Sequence, residues 1–272
     1  MLILLFLLLA ARTDLVSPAE PAHSSCGQEK SVFILAGQSN MSGRGGVVNG
    51  TWDGVVPSEC RPNRSILRLS AQLTWVETRE PLHKDIDVNK TCGVGPGMAF
   101  ANSVLEKDPS LGVIGLVPCA IGGTNISQWV RGSFLYNQTV QRAAAAVQSG
   151  GMIRAVLWYQ GESDAENWED ADHYKGRLEK FFTDLRCDLG SPLLPIIQVA
   201  LASGGPYTEK VREAQLEIKM ENVRTVDGKG LALEPPELLH LTTPAQVQLG
   251  EMMADAFLRT RPGPLHSRAG FC

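Results

Sequence analysis

A strong excess of charge of either sign is the first thing this chain of 272 residues lacks, its formal net charge being −4. With no basic stripe, the usual footprint of a nucleic-acid partner is missing, and none is expected. Cysteines at metal-ligand spacing are also missing. The five histidines (His23, His83, His173, His240 and His266) lie scattered along the chain. That pattern argues against a structural zinc site, and no metal or cofactor is expected. There is no internal repeat and no apolar run long enough to span a bilayer. The longest such run, Met1–Ala11, has the length of a signal-peptide core, although no Lys or Arg precedes it. A signal peptide over residues 1–25 and secretion are therefore expected, with an uncleaved anchor as the alternative. Composition shows no break after that, so residues 26–272 are read as one domain.

What is present is ordinary for a globular chain, with 43% hydrophobic and 20% charged residues. Asn-x-Ser/Thr sequons begin at Asn40, Asn49, Asn63, Asn89, Asn125 and Asn137, in keeping with a glycoprotein. Six cysteines suit an oxidising compartment, with Cys26 to Cys272 and Cys60 to Cys92 the expected pairs. Cys119 and Cys187 read equally well as buried thiols.

The stretch Val32–Asn40, Val-Phe-Ile-Leu-Ala-Gly-Gln-Ser-Asn, organises the rest. Its apolar run reads as a buried strand, and Gly37 breaks it to expose a serine at the strand's carboxyl end. Further strands are expected at Val113–Val117, Ala155–Tyr159, Leu194–Leu201 and Val223–Val226. Helices are expected at 97–107, Asn137–Gln148, Tyr174–Leu185, Glu209–Met220 and after Thr243, read as an N-cap with Pro244 at the first helical position. Residues 47–92 show no period and read as a long surface excursion with one hairpin near Leu67–Val76. Five alternations of strand and helix predict an α/β fold, a parallel sheet covered on both faces. In such a sheet Ser39, the Gly122-Gly123 loop and Gln160 all follow strands and converge on one edge.

Serine is a weak nucleophile without an adjacent base. His240 is the candidate, with Glu237 three residues earlier to fold back onto its second ring nitrogen, and Glu234 within the same segment. An oxyanion would be met by the backbone N–H groups of Ser39 and Gly123 and the side-chain amide of Gln160. Gly123 is chosen because close backbone approach tolerates no side chain. Glu162 and Asp164 are expected to hold the loop by bonds to nearby backbone N–H groups. Arg44 and Trp129 are expected to face a sugar, and Trp158 the core.

Four blocks, Gly37-Gln38-Ser39-Asn40, Gly122-Gly123-Thr124, Gln160-Gly161-Glu162-Ser163-Asp164 and Leu239-His240-Leu241-Thr242, resemble those of the SGNH-hydrolase superfamily. Within it they look most like the sialate O-acetylesterase-like carbohydrate esterases, carbohydrate esterase family six, and especially their plant members. The resemblance runs from about residue 31 to residue 260. It implies a flavodoxin-like α/β/α sandwich with five parallel strands. It also implies metal-independent deacetylation of sugars through an acyl-serine on Ser39, with His240 as base. One departure stands out: the family usually carries Asp-Gly where this chain has Glu237-Leu238. That departure leaves Glu237 or Glu234 as the acid, and makes a non-catalytic carbohydrate-binding protein the rival reading. A lipase or thioesterase of the same superfamily is a further alternative. The expected partner is an acetylated carbohydrate, and the oligomeric state stays open.

Overall fold

The computed structural model describes residues 29–260. The chain enters through β1 (Lys30–Gly37), whose residues from Ser31 onward are all buried. A strand covered on both faces carries no polar alternation, hence the unbroken apolar run. A single helical turn, α1 (Ser39–Ser42), follows directly. Next come the small hairpin β2 (Val47–Val48) and β3 (Thr51–Trp52), then β4 (Ile66–Leu69) and β5 (Trp75–Glu77). From there strands and helices alternate: α2 (Pro96–Lys107), β6 (Val113–Pro118), α3 (Phe134–Gln148), β7 (Gly151–Tyr159), α4 (Trp168–Asp188), β8 (Ile196–Ala200), α5 (Thr208–Leu216), β9 (Val223–Asp227) and α6 (Thr243–Leu258).

The central sheet runs β5-β4-β6-β1-β7-β8-β9. Strand β6 joins β1 through Cys119 N–H to Leu35 C=O at 2.8 Å and Ile121 N–H to Gly37 C=O at 3.0 Å. All pairs are parallel except β4 with β5, which is antiparallel at the edge. The sheet has seven strands, not the five expected. Both additions come from the stretch read as a surface excursion, where buried Ile66 and Leu69 dock β4 onto β6. Its four residues are too short to show a period.

Helices cover both faces. On one, Phe33 of β1 meets Phe100 of α2 and Phe257 of α6, both edge-on with ring centroids 4.9 Å apart. On the other, Trp158 of β7 packs on Phe181 of α4 at 4.6 Å and on Trp129 at 5.1 Å. The chain builds outward from β1 first to one side, through β6, and then to the other, through β7. The carboxyl end of β1 is therefore the point where the winding reverses, the place where open α/β sheets form a crevice.

Several local expectations shift. The cap of α6 is Thr242, whose hydroxyl accepts from Ala245 N–H, so Pro244 is the second helical residue. Helix α5 stops at Leu216, short of Met220. Cys60, Cys92 and Cys119 are free buried thiols, so the expected Cys60 to Cys92 pair does not form. Cys187 is disulfide-bonded, against its reading as a thiol. Cys26, Cys272 and the proposed signal peptide at 1–25 lie outside the described residues. Among the sequons, Asn49, Asn89 and Asn137 are exposed, whereas Asn40 is wholly buried. Among the described residues no helix is long and apolar enough to cross a membrane, and no His, Cys, Asp and Glu cluster could hold a metal.

Candidate active site

Gly37 ends β1 at φ +132, and a Cβ there would sit 2.1 Å from the Tyr159 carbonyl oxygen. Only glycine fits both the dihedral and the gap. The Tyr159 carbonyl instead accepts from Gln38 N–H at 2.9 Å, which turns the chain into α1 and places Ser39 in its first position. No acceptor within the described residues takes the Ser39 N–H, one of the donors a helix start leaves open.

His240 arrives from the loop between β9 and α6. That loop closes on itself through Glu234 N–H to His240 C=O at 2.7 Å, Leu238 N–H to Glu234 C=O at 3.0 Å and Thr242 N–H to Ala232 C=O at 3.0 Å. The result sets His240 Nε2 3.0 Å from Ser39 Oγ, across 201 positions of sequence. Burial, with the nearby Arg44 charge, lowers the His240 pKa to about 4, while Glu237 pulls it upward. At neutral pH the ring is uncharged and able to accept the serine proton.

The acid member is placed differently from the expectation. Glu237 is exposed and makes no hydrogen bond to His240; it reaches the ring only by charge. Glu234 contributes its backbone N–H and not its carboxylate. Between Glu237 and His240, Leu238 sits at φ 50 and is 56% exposed. A left-handed leucine costs about 1–2 kcal/mol.

A cleft of about 250 Å³ opens over these groups, lined by Gln38, Ser39, Arg44, Gly122, Gly123 and Glu162, with Lys90, Ser163, Glu166, Leu239 and His240. Gly123 has φ +75 and open space where a Cβ would project, so it is the dihedral that calls for glycine there. The close approach expected at Gly123 occurs instead at Gly122, where a Cβ would lie 2.6 Å from Arg44 Nη2. The Gly122 N–H is taken by Asp87 Oδ2 at 3.1 Å, while the Gly123 N–H has no acceptor among the described residues.

Two expected roles are corrected. Gln160 is fully buried and outside the cleft; its amide donates to Gln38 Oε1, Thr124 C=O and Asp164 Oδ2, so no N–H remains for an oxyanion. Trp129 is fully buried, donates to Thr124 Oγ1 at 3.1 Å and packs on Trp158, so it belongs to the core with Trp158. Arg44 lines the cleft, with its guanidinium anchored by Asp87, Ser42 Oγ and Gly43 C=O. Asp87 went unnoticed in the sequence because it lies in the aperiodic stretch. It ties Ser42, Arg44 and Gly122 together, a single buried carboxylate holding the turn of Ser39 against the glycine loop.

Asp164 accepts from Ile126 N–H at 3.1 and 3.0 Å, the loop-holding role expected of it. Glu162 takes a side-chain donor instead, Asn40 Nδ2 at 2.7 Å. Burial raises both carboxyls to about 7. Asn40 was read as a sequon and as part of the Gly37-Gln38-Ser39-Asn40 block, with no role of its own, and no spacing rule would have given it one.

Known proteins resemble this arrangement over nearly its whole length. The family described as carbohydrate esterase, sialic acid-specific acetylesterase matches residues 29–259. A protein of Arabidopsis thaliana, named a probable carbohydrate esterase, is 58% identical over 236 residues, covering 84% of this chain and 90% of its own length. A solved structure of an Arabidopsis thaliana protein is 56% identical with a TM-score of 0.83, over 85% of this chain and 98% of that one. The structure of NanS shares the fold at 17% identity, with a TM-score of 0.69 over 85% of this chain and 97% of its own.

Proposed function

We propose, for a chain that belongs to the sialic acid-specific acetylesterase family of carbohydrate esterases, that it removes O-acetyl groups from carbohydrates through an acyl-serine. The observation that carries this reading is the 3.0 Å approach of an uncharged His240 Nε2 to Ser39 Oγ at the floor of the cleft. His240 takes the hydroxyl proton as Ser39 Oγ attacks the acetyl carbonyl. The N–H groups of Ser39 and Gly123 meet the oxygen as it becomes an anion. His240 returns the proton to the departing sugar oxygen. Water, deprotonated by the same ring, then releases acetate and restores the hydroxyl. Glu237 favours the imidazolium through space.

The cleft wall supports a polar substrate. Leu239 is the one aliphatic side chain among its lining residues, and a cleft of about 250 Å³ suits an acetyl ester better than the long acyl chain of a lipase or thioesterase substrate. Exposed sequons at Asn49, Asn89 and Asn137 and the disulfide at Cys187 support a secreted protein.

Acetate release from acetylated xylan, pectin and sialic acid tests the reading. Activity on at least one, abolished by Ser39→Ala, is the expected result; undiminished activity in that variant ends it. The missing hydrogen bond from Glu237 favours a second reading, a carbohydrate-binding protein without turnover. A fluorophosphonate that labels Ser39 excludes it, since labelling needs an activated hydroxyl.

A further inference from the structure

We infer that the Asn40 side chain, held by Glu162, is the device that sets His240 against Ser39 in this chain, a job usually given to an acid on the second ring nitrogen. The inference rests on the catalytic reading above and assigns two positioning residues to it.

Asn40 follows Ser39 directly and is wholly buried. Its amide brackets His240 on both sides. Oδ1 accepts from Leu241 N–H at 2.9 Å, and Nδ2 donates to Leu239 C=O at 3.3 Å. One planar group thus pairs with the backbone before and after the histidine, much as a neighbouring strand would. The second proton of Nδ2 goes to Glu162 Oε1 at 2.7 Å, which fixes which way the amide faces. Gln246 Nε2 holds the Asn40 carbonyl at 3.2 Å, and Ser203 Oγ adds a second donor to the Leu239 carbonyl. Nucleophile and base are therefore tied through adjacent residues, and the tie bypasses the strained, exposed Glu237-Leu238 turn.

Glu162 is 2% exposed, and its other carboxyl oxygen has no partner among the described residues. A buried carboxyl with one oxygen unpartnered is costly, and such a cost calls for a role that offsets it. Here it orients Asn40 and makes no bond to Ser39 or His240, so its hold on that pair runs through Asn40.

The test compares the whole protein with Asn40→Ala, Glu162→Ala and Glu162→Gln. Readouts are kcat and KM on 4-nitrophenyl acetate, and hydrogen exchange at the Leu241 amide. A misplacement of about 1 Å costs on the order of a hundredfold, so Asn40→Ala is expected to lose about that much in kcat with KM little changed. Its Leu241 amide is expected to exchange at least about tenfold faster. Glu162→Ala is expected to lose about tenfold in kcat, and Glu162→Gln, whose amide oxygen still accepts from Asn40, to recover most of it. Asn40→Ala and Glu162→Ala variants that keep wild-type kcat overturn the inference. So does a Glu162→Gln variant as impaired as Glu162→Ala, because then charge matters and not the bond. Should Asn40→Ala fail to fold, the two Glu162 variants decide alone. If the wild-type protein hydrolyses no ester, the catalytic reading falls, and Leu241 exchange judges the clamp: faster in Asn40→Ala supports it, unchanged overturns it.

Discussion

The two halves of the site are built to different standards. Around Ser39 the polar side chains are buried and held from several directions: Gly37 packs against Tyr159, Ser42 and the half-buried Gly122 bond to Asp87, and Asn40 bonds to Glu162. Around Glu237 the chain is exposed, turns through a left-handed leucine, and makes no bond to the ring it would serve. The nucleophile's side is fixed by packing, whereas the acid's side is left to solvent. An exposed carboxylate is screened, so its effect on a ring it does not touch is small. The reaction should depend steeply on the first region and weakly on the second.

The largest test of that contrast is the dyad itself. Ser39→Ala and His240→Ala are each expected to cost at least about four orders of magnitude in kcat, measured by acetate release. Next comes the frame: Gly37→Ala forces a Cβ to within 2.1 Å of the Tyr159 oxygen, and urea unfolding should show a loss of about 3 kcal/mol or more. Third is the acid. Neutralising a hydrogen-bonded triad acid costs about 10⁴-fold, but Glu237→Gln is expected to cost about tenfold or less. A loss near the larger figure would mean that Glu237 closes onto His240 during turnover, and the contrast would break.

The pH profile sharpens the same point. Only the neutral ring accepts a proton, and its pKa is held at about 4, so kcat/KM should persist as pH falls and decline only through about 4. Glu237 raises that pKa, so Glu237→Gln should move the decline to still lower pH. A decline near 6.5 would contradict the burial of the ring. The smallest effect is expected at Leu238. Leu238→Gly removes the left-handed penalty and adds chain entropy to the unfolded state, for a net gain of about 1 kcal/mol or less. Differential scanning calorimetry should read this as a rise in Tm of about 2–4 °C or less.

Much of this was legible beforehand. The unbroken apolar run ending at Gly37 marks a central strand because both its faces are covered. Ser39 and His240 stand out because few other residues pair a strand-end hydroxyl with a histidine ahead of a capped helix. Gln160 misled: at a strand end it reads as a free donor, yet burial committed its amide to three acceptors. Trp129 misled likewise, since an aromatic in a loop looks like a sugar platform until Trp158 is packed against it. The hairpin near Leu67–Val76 is there as β4 and β5, but its joining of the central sheet escaped notice, because β4 pairs in parallel with β6, about 48 positions further along the chain.

The chain's own order of residues determined the alternation of strand and helix and the break at Gly37, which follow from local periodicity and dihedral preference, and it marked Ser39 and His240 as candidates by their chemistry. Tertiary structure alone decided which donors stay free, that Asp87 and Asn40 hold the machinery together, and that Glu237 stands off from the ring. Hydrogen-bond saturation and burial depend on groups brought together from distant positions, and no local pattern records them.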